Sequence, residues 1–461
     1  MSLTEMQAMQ QDQLTFACQM AAELGGVAHL KILRTDLFFI SEPAMTRELL
    51  LHHARQMHRD PFVAGVFKRF LGNGVFVAEG ETWQRQRKLV QPAFHTMRIR
   101  EYVATMADYT REMATSWEIG SIHAIHAEFT QLTLRIIAKT MYDVDLVEET
   151  AALGDRMRTI FQVAEAQLKS PFRLPQWLPT PENRRQQAAL QQVRSRLNAI
   201  IEERLQNGDG SAEGSVQDRG DLLSMLLAAR DEDGLPMPRA QVLDECITLF
   251  VAGHETTAAA LTWVWHLLTQ HPHILKEVTA EVQTVLGAAP ATFETLPQLP
   301  LLEAVIKETL RLYPPAFGFG RSVIEPFQAN GVDFPKDAVI IFSTYATHRR
   351  PDLWDEPDEF RPHRFLDPEN QPDRYTYLPF GAGSRICLGT VFAMLEAQVI
   401  LATLLQHRTL TRVDDAPVVK DTVVTLRPRD PLRMRVGAAA TRVETVTPVA
   451  DMDQAATPTV S

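Results

Sequence analysis

The chain has few cysteines for its length. Its 461 residues include only Cys18, Cys246 and Cys387, too few for the disulfide framework that holds small secreted domains together. This usage suits a reducing compartment, and the sequence neighbours of each cysteine must indicate what it does.

Long apolar runs and a targeting signal are missing as well. No stretch contains the roughly 18 uninterrupted apolar residues that a membrane-spanning helix needs. Residues 1–40 also lack a basic start followed by an apolar core. We therefore expect a soluble, cytoplasmic protein with no membrane span.

Basic residues are outnumbered by acidic ones. The sequence has 46 Lys and Arg against 57 Asp and Glu, a formal net charge of -11. Proteins that bind nucleic acids present a basic face to the phosphates, so this balance argues against a nucleic-acid partner. It leaves room for a local basic patch.

Helical periodicity dominates from about residue 84 to 310, and short β-rich runs follow after residue 312. This pattern predicts a mostly α fold with a smaller β region (α+β). A long helix is expected over 239–270, directly after Pro238, and another after Gly389. Residues 339–342 and 423–426 are predicted strands.

The domain organisation follows from composition. Residues 207–220 are rich in Gly, Ser and Asp and are predicted to form a surface loop rather than a linker, because amphipathic helices flank them. We expect a single domain over residues 1–436. Residues 437–461 are predicted to be a disordered tail.

The most informative segment is F-G-A-G-S-R-I-C-L-G, from Phe380 to Gly389. Glycines such as Gly381 let backbone N–H groups approach the sulfur of Cys387, and the following helix start favours negative charge there. A thiolate held in this way is a good axial ligand for haem iron. A buried structural cysteine in a Gly-rich turn is the alternative.

This segment resembles the haem-binding signature of the cytochrome P450 family, with F-x-x-G-x-R-x-C-x-G matched at each fixed position. The resemblance makes Cys387 the iron ligand and haem b (iron protoporphyrin IX) the cofactor, with Phe380 and Gly381 beside it. It also implies the P450 fold, whose long central helix crosses over the haem. The resemblance covers roughly residues 30–435.

Inside the long predicted helix stands A-G-H-E-T-T, from Ala252 to Thr257. A buried acid and alcohol are costly unless satisfied, and together they could pass protons to a bound oxygen species. A kinked helix with its threonine bonded back to helix carbonyls is the alternative. The segment resembles the family's A-G-x-[DE]-T-T. That makes Thr256 the alcohol, Glu255 its acid, and Ala252 with Gly253 the oxygen-binding groove over the haem.

Glu308 and Arg311 lie three residues apart on one predicted helix face. Such pairs are usually solvated and weak. The segment resembles the family's E-x-x-R helix, however, and residues 360–365 resemble its proline-rich P-E-R-F segment. The resemblance implies a structural triad of Glu308, Arg311 and Arg364, with His363 replacing the family's acid.

Haem propionates are anionic and favour Arg, His or Trp N–H partners. Trp83 and Arg87 resemble the family's W-x-x-x-R helix, although an exposed basic helix is the alternative. By the same resemblance, Arg385 and Arg321 match further propionate-binding positions.

The resemblance implies a monooxygenase that inserts one oxygen atom of O2 into an apolar small molecule, by hydroxylation or epoxidation. A lipid-, terpenoid- or polyketide-like substrate is expected. The chain carries no flavin or iron–sulfur motif, so electrons are expected from a ferredoxin or flavodoxin with its NAD(P)H-dependent reductase. A basic docking face and a plain solvated helix face are both open for Arg85, Arg87, Lys88, Arg98 and Arg100. The expected pocket residues are Phe76, Leu249, Ala252, Phe317, Gly318 and Val424.

Two other functions fit part of this pattern. A haem-thiolate peroxygenase or isomerase of the same fold needs no redox partner, but such proteins typically lack the acid–alcohol pair that Glu255 and Thr256 supply. A non-catalytic haem sensor would not need that pair either, and no signalling segment is recognisable here.

Overall fold

The structure is a computed structural model that describes residues 12–439, apart from residue 33 and residues 146–148, 170–179, 207–218 and 423. Most of the predicted loop at 207–220 and the predicted tail from residue 440 lie outside the described residues. Helices dominate the described part, with small sheets beside them, as the sequence predicts.

The described helices are α1 (Gln13–Leu24), α2 (Pro43–His52), α3 (Pro61–Leu71), α4 (Gly80–Val90), α5 (Thr96–Ser116), α6 (Ile125–Tyr142), α7 (Thr150–Lys169), α8 (Pro181–Gln206), α9 (Leu222–Ala228), α10 (Arg239–Gln270), α11 (Pro272–Leu286), α12 (Pro300–Leu312), α13 (Thr344–Thr347) and α14 (Thr390–His407). The strands are β1 (Val27–Ile32), β2 (Thr35–Ile40), β3 (Met57–His58), β4 (Ile122–Ala124), β5 (Phe319–Val323), β6 (Phe327–Ala329), β7 (Val332–Phe334), β8 (Val339–Phe342), β9 (Arg408–Arg412), β10 (Lys420–Thr422), β11 (Leu426–Pro428) and β12 (Arg433–Ala438).

The predicted long helix is confirmed as α10, 32 residues from Arg239 to Gln270. Pro238 stands at its N-cap, where a missing N–H costs no hydrogen bond. The helix runs through the core and packs on α6, α12 and α14. A Cβ on Gly253 would come within 2.5 Å of Ile137 Cδ1. The missing side chain therefore lets α6 approach α10, a role that we did not predict for Gly253.

The largest sheet has the strand order β1-β2-β8-β5-β3, in which β2 and β8 are parallel. Strand β8 confirms the prediction for residues 339–342. Strand β12 pairs Gly437 with Thr409 and Ala438 with Arg408. The ordered chain therefore extends past residue 436, and the predicted start of a tail at 437 is too early.

The strand predicted at residues 423–426 is wrong for Val424 and Thr425. Strands β10 and β11 pair Thr422 with Leu426, so Val424 and Thr425 lie in the loop of a hairpin and Leu426 begins β11; residue 423 lies outside the described residues. From this loop the Thr425 hydroxyl donates to Glu255 at 3.3 Å.

The helix predicted after Gly389 is confirmed as α14. Among the described residues, it is the helix long and apolar enough to cross a membrane. It packs in the core instead, against α5, α10, α11 and α12. Its first residue follows Cys387 by three positions, so the core holds the cysteine turn in place.

Candidate functional site

The turn before α14 is shaped by its glycines. Gly381 and Gly383 have φ angles of 70° and 72°, in the left-handed region that favours glycine. The turn closes where the Cys387 N–H donates to the Phe380 carbonyl at 3.0 Å. The side chain of Cys387 is exposed although its turn is anchored to a core helix, so the thiol stands open to a ligand.

The protein atoms around the sulfur disfavour its thiolate form. Although Cys387 is accessible to a ligand, the surrounding protein atoms desolvate its thiol and raise its pKa, and the Gly389 N–H, the Thr390 hydroxyl and the charge of Arg87 only partly offset this effect. The amide that reaches the sulfur therefore follows the cysteine, whereas we expected the preceding glycines. A metal ion at the sulfur would supply the missing positive charge and deprotonate the thiol.

Helix α4 and the cysteine turn meet through cation–π contacts. The Arg385 guanidinium lies 4.2 Å from the Trp83 ring centroid, and that of Arg87 lies 5.8 Å away. Arg87 donates to the Ile386 carbonyl at 3.0 Å, and Arg385 donates to the Ala78 carbonyl at 2.9 Å. Helix α4 and the cysteine turn are about 300 residues apart in the sequence. These contacts bring Trp83, Arg87 and Arg385 together beside the turn that carries Cys387.

The same region holds a surplus of positive charge. The Arg385 side chain pairs with Glu79, and the backbone N–H of Arg59 donates to the other oxygen of that carboxylate at 2.9 Å. Burial, with the charges of Arg321 and Arg385, lowers the pKa of Arg59 to about 9. Burial, with the charge of Arg385, lowers that of Arg321 to about 10. Three arginine side chains therefore lie near a single carboxylate, with which only that of Arg385 forms an ion pair among the described contacts.

This cluster tests whether the site suits haem. The buried Nε atom of Arg59 has no hydrogen-bond partner, and Arg321 donates to its own strand, at the Gly320 carbonyl. Surplus cations and unused donors are what the two anionic propionates of haem require. Together with the accessible thiol, the residues present fit this cofactor. Arg59 was missed from sequence, because no local pattern connects it to a site whose other members lie hundreds of residues away.

An accessible stripe runs along the buried helix α10. Ala252 is exposed and Thr256 half-buried, while Val251, His254 and Glu255 around them are buried. Because residues four apart lie on one helix face, Ala252 and Thr256 open to the same side. The Thr256 hydroxyl donates to the Ala252 carbonyl at 2.9 Å, the back-bonded geometry that we considered as the alternative. Its oxygen lone pairs remain open to that side.

Glu255 points elsewhere, since adjacent helix residues do not share a face. Its carboxylate accepts from Arg427 at 3.2 Å and Thr425 at 3.3 Å, and His126 Nε2 lies 3.6 Å away. Burial alone would raise the pKa of Glu255, but the hydrogen bond and charge of His126 and the charge of Arg427 outweigh it, lowering the pKa to about 2. The structure thus keeps the carboxylate ionised and does not bring it to the Thr256 hydroxyl.

Glu308, Arg311 and Arg364 are brought together by the structure. Glu308 and Arg311 are 0% exposed and form two parallel bonds of 2.7 and 2.9 Å. Arg364 Nε donates to Glu308 Oε1 at 3.1 Å. The remaining Arg311 donors bind the carbonyls of His348, Pro357 and Glu359. This network fixes the coil that precedes the cysteine turn.

His348 extends the network and was missed from sequence. Its Nδ1 lies 3.0 Å from the Arg311 carbonyl, and its Nε2 accepts from the Leu378 N–H at 2.8 Å. These partners fix the Nδ1–H tautomer. Burial lowers the pKa of His348 to about 3, so the ring is neutral. Its bond to Leu378 connects the network to the coil two residues before Phe380.

A family model described as Cytochrome P450 matches residues 2–434. The chain is a cytochrome P450. As such it is a haem-thiolate monooxygenase, an enzyme that binds haem and iron.

Curated relatives of this P450 are named as oxygenases. The cyclooctat-9-en-7-ol 5-monooxygenase of Streptomyces melanosporofaciens is 35% identical over 386 residues, which are 82% of this chain and 81% of that protein. The pentalenene oxygenase of Streptomyces avermitilis is 31% identical over 416 residues, 90% of each chain. The crystal structure of the cytochrome P450DA heme domain shares the fold, with a TM-score of 0.82 at 24% identity over 93% of each chain.

The expected pocket residues of the P450 fall into two groups. Phe76 packs edge-on against Phe67 at 5.2 Å beneath the Arg59 guanidinium, and Leu249 lies one turn before Ala252 on α10. Phe317 packs instead on the cluster around Trp263. Val424, in the β10–β11 loop, packs on the main core.

Gly318, an expected pocket residue, stands where two stretches of backbone pass close together. A Cβ there would lie 2.8 Å from the Phe342 carbonyl oxygen of β8. Its missing side chain is therefore required where the chain enters β5 close to the backbone of β8.

Proposed function

We propose that this P450 hydroxylates or epoxidises an apolar, terpenoid-like small molecule at a site between Cys387 and α10. The observation that carries the proposal is that Cys387 is exposed while Ala252, Gly253 and Thr256 are the accessible residues in the otherwise buried middle of α10, residues 245–268. Two relatives are named for cyclooctat-9-en-7-ol and pentalenene, which are terpenoid compounds, and this supports the substrate class.

The residues have distinct proposed roles toward haem b. Cys387 would bind the iron, and Arg59, Arg87, Arg321, Arg385 and the Trp83 N–H would hold the propionates. Bound haem supplies the activation of O2 and the insertion of one oxygen atom into the substrate.

The protein's part is positioning and proton handling. The stripe of Ala252 and Thr256 presents small groups and one hydroxyl, so O2 and an apolar substrate can approach closely. The Thr256 hydroxyl, anchored on the Ala252 carbonyl, can accept a hydrogen bond and pass a proton. Glu255 acts as the anionic end of a polar path through His126 and Arg427.

We propose that electrons come from a separate ferredoxin or flavodoxin with its NAD(P)H-dependent reductase. The expected docking face is partly neutralised, since Arg85 pairs with Asp231, Lys88 with Glu232 and Arg100 with Glu294. An acidic partner must compete with these pairs, which favours weak and salt-sensitive docking. A cytoplasmic location is proposed from the free thiols of the three cysteines.

Ligand titration tests the substrate class. Pentalenene and a linear fatty acid of similar carbon count are added to the ferric protein, and the absorption shift caused by displacing iron-bound water is followed. We expect the terpene to give a saturable shift and the fatty acid a weaker one. A shift with the fatty acid alone would overturn the terpenoid proposal.

Turnover tests the redox partner. NADPH, a ferredoxin and its reductase are supplied to the pentalenene-loaded protein, and oxygenated product is measured. We expect product only with the complete set. Product formed equally well with hydrogen peroxide in place of the partners would instead identify a peroxygenase.

A further inference from the structure

The segment of residues 72–79, which joins α3 to α4, lies directly against the first half of α10. A Cβ on Gly72 would collide with the Asp244 carboxylate. A Cβ on Gly74 would collide with Thr248 Oγ1 and would come within 2.9 Å of the Asp244 carbonyl oxygen. Only residues without a side chain allow the backbone to approach the helix this closely. The fold thus fixes where the segment meets the long helix.

Two neighbouring acids of α10 bind backbone N–H groups of the segment. Asp244 Oδ2 accepts from the Asn73 N–H at 2.8 Å, and Glu245 Oε2 accepts from the Val75 N–H at 2.8 Å. Glu245 is 0% exposed and Val75 is buried, and a buried N–H group is costly unless it has an acceptor. Glu245 therefore supplies what the buried backbone of the segment requires.

The two acids differ in their other contacts. Asp244 Oδ1 also accepts from Arg194 of α8 at 2.9 Å, so this carboxylate is shared. Burial and the charge of Asp244 raise the pKa of Glu245 to about 7. The Val75 N–H and the Gln241 side chain act in the opposite direction. Glu245 is thus partly protonated at neutral pH, and in either form a carboxyl oxygen can accept the Val75 N–H.

The far end of the segment reaches the candidate site. The Arg59 guanidinium lies 4.3 Å from the centroid of the Phe76 ring, and the Ala78 carbonyl accepts from Arg385 at 2.9 Å. The Ala78 N–H donates to the Gly74 carbonyl at 3.0 Å, so a turn connects this end to the part that lies on α10. The positions of Phe76 and the Ala78 carbonyl therefore depend on how α10 holds the residues before them.

We propose that Glu245 is a positioning residue of the monooxygenase, which places Phe76 at the apolar site by accepting the Val75 N–H and so holding residues 72–79 on α10. Without that acceptor the Val75 N–H would be buried and unsatisfied, so a fraction of the molecules would release the segment from the helix. The apparent affinity for an apolar ligand falls in proportion to the fraction that keeps the segment in place. The proposal rests on the proposed site between Cys387 and α10 and not on the terpenoid substrate class.

Two iron-binding probes of different size test the proposal in the ferric, haem-loaded protein. Imidazole and 4-phenylimidazole both bind the iron through a ring nitrogen, but only the second extends a phenyl ring into the apolar site. We expect E245L to bind 4-phenylimidazole at least about fivefold more weakly than the wild type, because a buried N–H loses its acceptor, and to bind imidazole equally well. E245Q keeps an oxygen acceptor in a side chain of the same size, so it should bind both probes as the wild type does.

A second variant, G74A, disturbs the same contact from the segment and leaves Glu245 in place. Its Cβ would collide with Thr248 Oγ1, so it should weaken 4-phenylimidazole binding as E245L does. Hydrogen exchange followed by mass spectrometry measures the segment itself. Backbone amides of residues 72–79 should exchange faster in E245L and G74A than in the wild type and E245Q, while those of α14 keep their protection.

The matched control is E281L. Glu281 of α11 also accepts from backbone N–H groups, those of Leu301 and Leu302, at 2.8 Å each. It holds the start of α12 rather than residues 72–79, so E281L should bind 4-phenylimidazole as the wild type does.

Wild-type 4-phenylimidazole affinity in both E245L and G74A would overturn the proposal, as would equal weakening in E245L and E245Q or in E245L and E281L. Unchanged exchange of residues 72–79 in E245L would contradict it as well. Equal weakening of imidazole and 4-phenylimidazole would place the effect at the iron and also overturn it. If the wild type binds 4-phenylimidazole but not pentalenene, the substrate proposal fails while these tests still decide the role of Glu245.

Discussion

Glu308→Gln should be among the most destabilising single substitutions in the described part of the chain. The change keeps the size of the side chain and one acceptor, but it removes the anion shared by Arg311, Arg364 and the Arg361 N–H. Arg311, which is 0% exposed, would be left as a buried cation without a counter-charge. Breaking such a pair from one side costs about 3–5 kcal/mol, a large part of a typical total of roughly 5–15 kcal/mol.

Urea denaturation followed by circular dichroism measures this cost, at constant haem loading so that ligand binding does not shift the midpoint. Glu303→Gln is the matched control on the same helix. Glu303 is 38% exposed and pairs with Lys307 at 2.7 Å, and such surface pairs contribute under about 1 kcal/mol. A Glu308→Gln protein as stable as Glu303→Gln would refute the reasoning that the buried network holds the coil before Cys387.

Three further predictions follow. Arg59→Met should weaken haem binding about 10- to 100-fold by removing a charge-assisted bond of about 1.5–3 kcal/mol, in titrations against Arg55→Met, an exposed neighbour; equal affinities would remove Arg59 from the propionate site. Glu255→Gln should have a lower free energy of unfolding than the wild type near neutral pH, and this difference should disappear in acid. Because the folded pKa of Glu255 is about 2 against a usual 4.5, its stabilising effect is present above about pH 4.5 and is lost as pH falls toward 2; a denaturation gap that stays constant would contradict this. Gly318→Ala should lower the free energy of unfolding by about 1–3 kcal/mol, because its Cβ would lie 2.8 Å from the Phe342 oxygen. Gly320→Ala is the control, since its Cβ would meet its nearest atom at 3.9 Å. Equal melting temperatures for the two variants would show that β8 can shift to make room for the Cβ.

Long, regular elements could be predicted from the sequence. The bounds of α10 and β8 match the structure because each combines a continuous apolar run with a clear boundary residue, such as Pro238. The prediction for Val424 and Thr425 was wrong, because β-branched residues also fit a hairpin loop when a side chain such as Thr425 has a buried partner. Apolar character alone does not distinguish the two.

The site could be predicted only where a local motif marks it. Cys387 and the E-x-x-R pair carry such motifs, and the structure places the pair in contact. Arg59 and His348 act through partners that are distant in sequence, so no spacing identifies them. The direction of Glu255, away from Thr256, depends on His126 and Arg427, which approach from α6 and β11.

The central claim is that Cys387 holds the haem iron as a thiolate, and the absorption spectrum of the reduced protein under carbon monoxide tests it most directly. The account predicts the strongly red-shifted Soret band of thiolate-ligated haem in the wild type and in Cys246→Ala, and its loss in Cys387→Ala. Haem bound with the Soret band of neutral ligation in the wild type, or a red-shifted band that survives Cys387→Ala, would contradict the account.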